Sequence, residues 1–159
     1  DRVQIAPEIG GYYGCYDELC LPRLEHVLQE CPALVLLGHS QPFWAEISAN
    51  VTDANRRTYP KGAVRPGRLV ELMRRYPNLH GDLSAGSGYN AINRDPEFGY
   101  RFLEECQDHL LFGTDICHHG QKVPNTDYFR NAYKNGHISK QTYEKIGWKN
   151  AQQLLGLDA

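Results

Sequence analysis

The chain has 159 residues, 41% hydrophobic and 23% charged, with 17 basic against 19 acidic residues and a formal charge of −2. That balance suits one folded domain over residues 1–159 with a sizeable core, and it argues against a nucleic-acid surface or a polybasic membrane anchor. No apolar stretch reaches the roughly 18 residues of a membrane span.

No N-terminal signal pattern is present, and the opening on Asp1 rather than methionine leads us to expect further sequence upstream. Cys15, Cys20, Cys31, Cys106 and Cys117 are odd in number and lack a CxxC pair. That indicates neither a zinc knuckle nor a full disulfide framework and suggests a reducing, cytoplasmic setting. Cys117 is expected to be a small buried thiol.

In chain order, "DRVQIAPEIGGYYG" gives a β-prone run at Val3 to Ala6 and then a tyrosine-rich loop. "DELCLPRLEHVLQECP" carries Leu21, Leu24, Val27 and Leu28 at helical spacing and ends at Pro32. "ALVLLGHS" is a nearly continuous apolar run, as expected of a strand covered on both faces, and exits into Gly38, His39 and Ser40. After a polar segment, "GRLVELMRRYP" puts Leu69, Leu72 and Met73 on one helical face until Pro77. "NLHGDLSAGSGYNAI" reads as a strand running into a Gly/Ser loop. "DPEFGYRFLEECQD" reads as a helix capped by Asp95 with Pro96 in its first turn. "HLLFGTD" supplies a fourth strand, a loop with Pro124 and Asn125 follows, and two short helical runs close the chain behind Ser139. Four successive strand–loop–helix units predict an α/β fold with a parallel sheet, either doubly wound or part of a (β/α) barrel.

In either architecture chemistry lies at the C-terminal strand ends, so Glu8, His39, Ser84 and Asp115 converge on one rim. A histidine and a carboxylate there suit a divalent metal, although a catalytic site ordinarily takes about three protein ligands. His80 lies inside a strand and can face away from the rim, whereas His118 and His119 follow Asp115 in its loop. Ser84 and Ser87, among Gly86 and Gly88, suit close approach of backbone amides to a substrate anion or carbonyl, or simply a tight loop. Arg94 suits a substrate carboxylate or a neighbouring acid such as Asp95. Glu8 has Tyr12, Tyr13 and Tyr16 nearby as pocket walls or packing residues. No GxSxG elbow, GxGxxG fingerprint or P-loop occurs.

The segments "PALVLLGHS", "YPNLHGDLSAGSG", "HLLFGTDIC" and "YEKIGWKNAQQLLGL" resemble the C-terminal half of the amidohydrolase-related family, metal-dependent hydrolases and decarboxylases built on a TIM barrel. The resemblance implies that the four βα units are strands five to eight of an eight-stranded barrel. It implies that His39 is a strand-six metal ligand, and that Asp115 is the strand-eight aspartate, which touches the metal and serves as general base for the water attacking a carbonyl substrate. Glu8, Ser84, Ser87, Arg94 and His118 are then candidate substrate contacts. The implied cofactor is a divalent ion, zinc ahead of manganese, and the implied partner is a small-molecule substrate. No HxH pair, the family's strand-one ligands, occurs here, and Gln4 stands nearest the family's strand-five histidine. A decarboxylase of the same family and a non-catalytic half-barrel module are the alternatives. A bare half-barrel is expected to associate with itself or with an N-terminal half-barrel through its open strand edges.

Overall fold

The computed structural model describes residues 17–157 together with the backbone of residues 3–4 and 12–13. Strands β1 (Val3–Gln4) and β2 (Tyr12–Tyr13) form a small antiparallel pair. The tyrosines at 12 and 13 are therefore strand rather than loop, and the first strand pairs outside the parallel sheet. Glu8 and Tyr16 lie outside the described residues.

Helix α1 (Pro22–Glu30) follows. Next come strand β3 (Leu36–Gly38), the short helix α2 (Gln41–Ala45) and helix α3 (Arg68–Arg75). Strand β4 (Leu79–Asp82), helices α4 (Ala85–Asn93) and α5 (Pro96–Glu105), and strand β5 (Leu110–Leu111) complete the sheet region. Strands β3, β4 and β5 run parallel in that order, with Gly38 opposite Gly81 and Asp82 opposite Leu111.

Register decides which face is packed. A Cβ on Gly38 would collide with the Phe43 ring, and one on Gly81 would meet Trp44 and Met73, so this face lies against the helices. Leu79, Leu110, Leu69, Leu72 and Met73 are all fully buried in that layer. Burying apolar surface of this kind is the main stabilising term of the fold. The opposite face carries Leu37, His39, His80 and Asp82, because side chains alternate along a strand. On this face Leu37 is 52% exposed, and Leu34 and Val35 just before β3 are 48% exposed each. The apolar run thus does not have both faces covered: among the described residues the helices cover one face of β3 only.

Two segments expected as loops are helices. The Gly/Ser stretch after β4 forms α4, and Pro124 opens helix α6 (Pro124–Lys134). Asp95 caps α5 through the Phe98 amide at 3.2 Å, and Ser139 caps α7 (Lys140–Glu144) through the Thr142 amide at 3.1 Å. A π-helical turn over Lys145–Lys149 joins α7 to α8 (Asn150–Leu155). Within it the Ile146 carbonyl accepts the Phe112 amide at 2.9 Å, tying the closing helices to β5. Asn150 adds bonds to the Gln107 and Leu110 carbonyls at 2.6 and 2.8 Å. No helix of the described residues is long and apolar enough to cross a membrane. Cys117 is exposed, contrary to the buried thiol expected, because the segment after β5 runs along the surface.

Glu46 is a charge-bearing residue inside this core. Its side chain is fully buried, accepts the Cys20 amide at 3.1 Å, and has the Arg56 guanidinium at 3.9 Å. Its Oε2 has no hydrogen-bond partner. Burial pushes its carboxyl above the ordinary value of 4.5, against the opposing pull of the Cys20 amide and Arg56. A group that holds its proton to higher pH in the folded chain stabilises fully below the unfolded value, and the benefit is lost as pH rises through the folded one. Glu46→Gln is therefore expected to gain stability relative to the native chain as pH rises from about 4 to about 7. Urea midpoints of both proteins at the two pH values check this, and a pH-independent difference would contradict it.

Candidate functional site: a His–Asp–Ser trio at the strand ends

Two of the three parallel strands put a polar residue on the open face at their ends: His39 directly follows β3, and Asp82 is the last residue of β4, whereas β5 ends on Leu111. His39 leaves β3 directly after Gly38, and its Nδ1 lies 3.0 Å from Asp82 Oδ2 at the end of β4. Ser84 donates its hydroxyl to the same Oδ2 at 2.6 Å and its backbone amide to Asp82 Oδ1 at 2.9 Å. The Ser84 hydroxyl is also 3.4 Å from His39 Nδ1. Trp44 holds the base of this arrangement by donating Nε1 to the Asp82 carbonyl at 2.9 Å.

Gly113, just beyond β5, completes the packing. A Cβ there would fall 2.9 Å from Asp82 Oδ1 and 3.0 Å from the Ser84 side chain, so only a glycine lets the third strand exit pass so close to the carboxylate.

A carboxylate oxygen accepts hydrogen bonds, so the neutral His39 tautomer that this contact favours carries its proton on Nδ1 and its lone pair on Nε2. Asp82 is 24% exposed and His39 44% exposed, which puts the trio at an open mouth rather than in a closed core.

The backbone at the three exits is unusual. Ser40, Ala85 and Asp115 have φ of 75°, 58° and 55°, values L-residues rarely adopt, and they lie in the segments that leave β3, β4 and β5. Such conformations each cost of order 1–3 kcal/mol and persist where surrounding structure enforces them.

The expected site residues fall into separate groups. His39 and Ser84 meet through Asp82, which sequence reasoning passed over. Its signal was the pattern His39 already showed, glycine and then a polar residue at a strand end, repeated as Gly81–Asp82. Asp115 lies in an exposed loop whose shape is held by Gln121, which donates to the Asp115 carbonyl at 2.9 Å and accepts the Cys117 amide at 2.8 Å. His118 and His119 are exposed in the same loop, with His118 Nδ1 2.9 Å from the His119 carbonyl. Ser87 is buried on α4, its hydroxyl without a partner. Arg94 lines a cavity with Ser48, Asn50 and Lys61 that none of the rim residues borders.

His80 is buried and lies 5.8 Å, ring to ring, from His109. Desolvation, then the charge of His109, pushes it below the ordinary histidine value of 6.5. It borders a cavity of about 460 Å³ with Val35, Pro77 and Asp108, which precede the strands, so it stands at the end opposite the rim.

As a metal donor set, the trio fits at one point. His39 has its Nδ1 against a carboxylate and, among the described residues, no partner at Nε2, the arrangement that orients a metal-bound imidazole. No cluster of three or more His, Cys, Asp or Glu able to hold a metal occurs among the described residues.

The amidohydrolase family model matches residues 15–157. No curated protein and no solved structure matches the chain. With that match running over most of its length, from the segment before α1 to the end of α8, the chain belongs to the amidohydrolase family.

Proposed function

We propose that the chain forms one unit equivalent to strands five to eight of a (β/α)8 barrel, and that its strand exits carry part of a hydrolase site for a small carbonyl substrate. The observation that carries this reading is the His39–Asp82–Ser84 trio at the ends of parallel strands, where ligands bind in this class of fold. The left-handed residues at all three exits add support, since stored backbone strain clusters at active sites.

His39 and Asp115 would hold the divalent ion that family membership implies, zinc ahead of manganese. When bound, that ion supplies activation of a water molecule and polarisation of the substrate carbonyl. Asp115, exposed in the loop that follows β5, would take the proton of the attacking water and return it to the leaving group. Asp82 and Ser84 keep the His39 ring oriented. Ser84 and His118, the latter in the same loop as Asp115, are the proposed substrate contacts. Exposed Cys20, Cys31 and Cys117, all free thiols, accord with a reducing cytoplasmic setting.

Metal content of the purified chain, measured by plasma mass spectrometry, tests this. Bound zinc or manganese is expected in the native chain and is expected to fall in both His39→Ala and Asp115→Asn. Equal metal in His39→Ala would overturn the assignment.

The exposed Leu34, Val35 and Leu37 along β3 support a second element of the proposal, association with another half-barrel, in the first instance a second copy. Sedimentation velocity at micromolar concentration is expected to show self-association. A single monomeric boundary would contradict the half-barrel reading.

A further inference from the structure

We propose that self-association of this chain is gated by a proton at His80: a second copy seated on Leu34, Val35 and Leu37 closes the cavity beside His80, and protonation of that ring in the open cavity releases the copy. The inference rests on the half-barrel reading above and adds the condition under which the two copies separate.

His80 is placed to resist a charge. It stands at the start of β4, on the face opposite Gly81, with Leu37 of β3 as its cross-strand partner and the His109 ring 5.8 Å away on the β5 side. A protonated imidazole donates from both ring nitrogens. His80 Nδ1 is buried away from water and has no hydrogen-bond partner among the described residues, so a proton there meets neither an acceptor nor solvent. His109 differs, because its Nδ1 has the Leu79 carbonyl at 2.8 Å, and a charge on it repels one on His80. Burial first, and that repulsion second, hold His80 below the ordinary histidine value of 6.5.

The surrounding charges are already engaged. Asp108 borders the cavity but is paired with Lys145 Nζ at 2.6 Å. Asp82, two residues further along the same face, is taken by His39 and Ser84. Helix α8 contributes Asn150, Gln153 and Leu154 to the cavity wall and has no titratable side chain, while Lys149 just before it pairs with Glu144 at 2.7 Å. Strand β3 brings only Leu36, Leu37 and Gly38, and α3 meets the other face of β4 through Met73.

The cavity gives the charged ring a way out. It measures about 460 Å³ and is bordered by both His80 and Val35. That is room for the ring to turn and for water to reach it, at ~30 Å³ per water. Val35 is 48% exposed, so it is at once a wall of the cavity and part of the apolar patch, and what covers the patch also covers the cavity. A second copy suits this patch because apolar side chains can meet their own equivalents across a twofold, and the β3 edge away from β4 is unpaired among the described residues. With the cavity closed His80 must stay neutral, so association is linked to proton loss. It has full strength above 6.5 and weakens as pH falls through the lowered value of the open chain.

The test is sedimentation equilibrium of the full chain at about pH 7.5 and about pH 5.5 and matched ionic strength, with far-UV circular dichroism recorded at both. The dissociation constant is expected to rise about tenfold or more on acidification, with the circular dichroism unchanged. His80→Gln, which stays polar but takes no proton, and His80→Leu are each expected to cut that rise to about threefold or less. A native chain that associates equally at both pH values, an acid-induced rise undiminished in both variants, or dissociation accompanied by unfolding would each overturn the gate and leave the half-barrel reading standing. A monomer at both pH values would overturn that reading and the gate with it.

Discussion

Trp44→Ala is expected to cost about 3–5 kcal/mol, a large share of the ~5–15 kcal/mol that separates a typical folded domain from its unfolded state. Trp44 is 1% exposed and sits under the sheet. Its ring is edge-on to Phe43 at 5.2 Å and to Phe102 at 6.4 Å, and it fills the space that Gly81 leaves open. Truncation removes that burial and leaves a cavity that neighbouring strands and helices cannot fully close. It also strips the Asp82 carbonyl of its indole donor. Trp44→Phe keeps most of the bulk and loses that hydrogen bond, so it is expected to cost far less, of order 1–3 kcal/mol. Urea midpoints of the two variants separate packing from hydrogen bonding. Equal midpoints would show that Trp44 is not the core anchor described here.

Asp82→Asn is expected to weaken metal binding about 10–100-fold while leaving the chain folded. In the native chain the carboxylate accepts three donors: the Ser84 amide on Oδ1, and the Ser84 hydroxyl and His39 Nδ1 on Oδ2. Asparagine offers one acceptor oxygen and an NH2 group, so in either orientation at least one donor faces another donor. His39 then loses its fixed tautomer and orientation although it remains in place. Zinc titration of Asp82→Asn beside His39→Ala measures the effect, with the alanine variant expected to lose more. Unchanged zinc affinity in Asp82→Asn would show that the carboxylate does not orient a ligand.

Much of the framework was legible because it follows from local patterns. The spacing of Leu69, Leu72 and Met73 marked a helix whose apolar face is indeed fully buried, and the Asp95 and Ser139 caps were visible as residue types ahead of helical runs. Helix α4 was hidden by its own glycines. Gly88 reads as loop chemistry, yet a Cβ there would lie 2.4 Å from the Leu83 backbone, so the glycine serves close packing rather than a turn. Helix α6 was hidden by Pro124, which in fact occupies the first turn, where its missing N–H costs nothing.

The exposed face of β3 was misjudged for a different reason. An apolar run shows that a face has to be covered, but not whether the cover belongs to the same chain. The central pair of the site was the least legible part. His39 and Asp82 are separated by 43 positions and meet only because β3 and β4 pair in parallel with Gly38 opposite Gly81.

The central claim is that Asp82 holds His39 so that Nε2 is offered to a divalent ion. Its most direct test is long-range proton–nitrogen correlation of the His39 ring at mildly alkaline pH, with and without zinc. The expected result is a proton on Nδ1 in the free chain and a zinc-dependent shift of Nε2, both lost or scrambled in Asp82→Asn. A His39 ring protonated on Nε2, or one whose Nε2 resonance ignores zinc, would contradict the account.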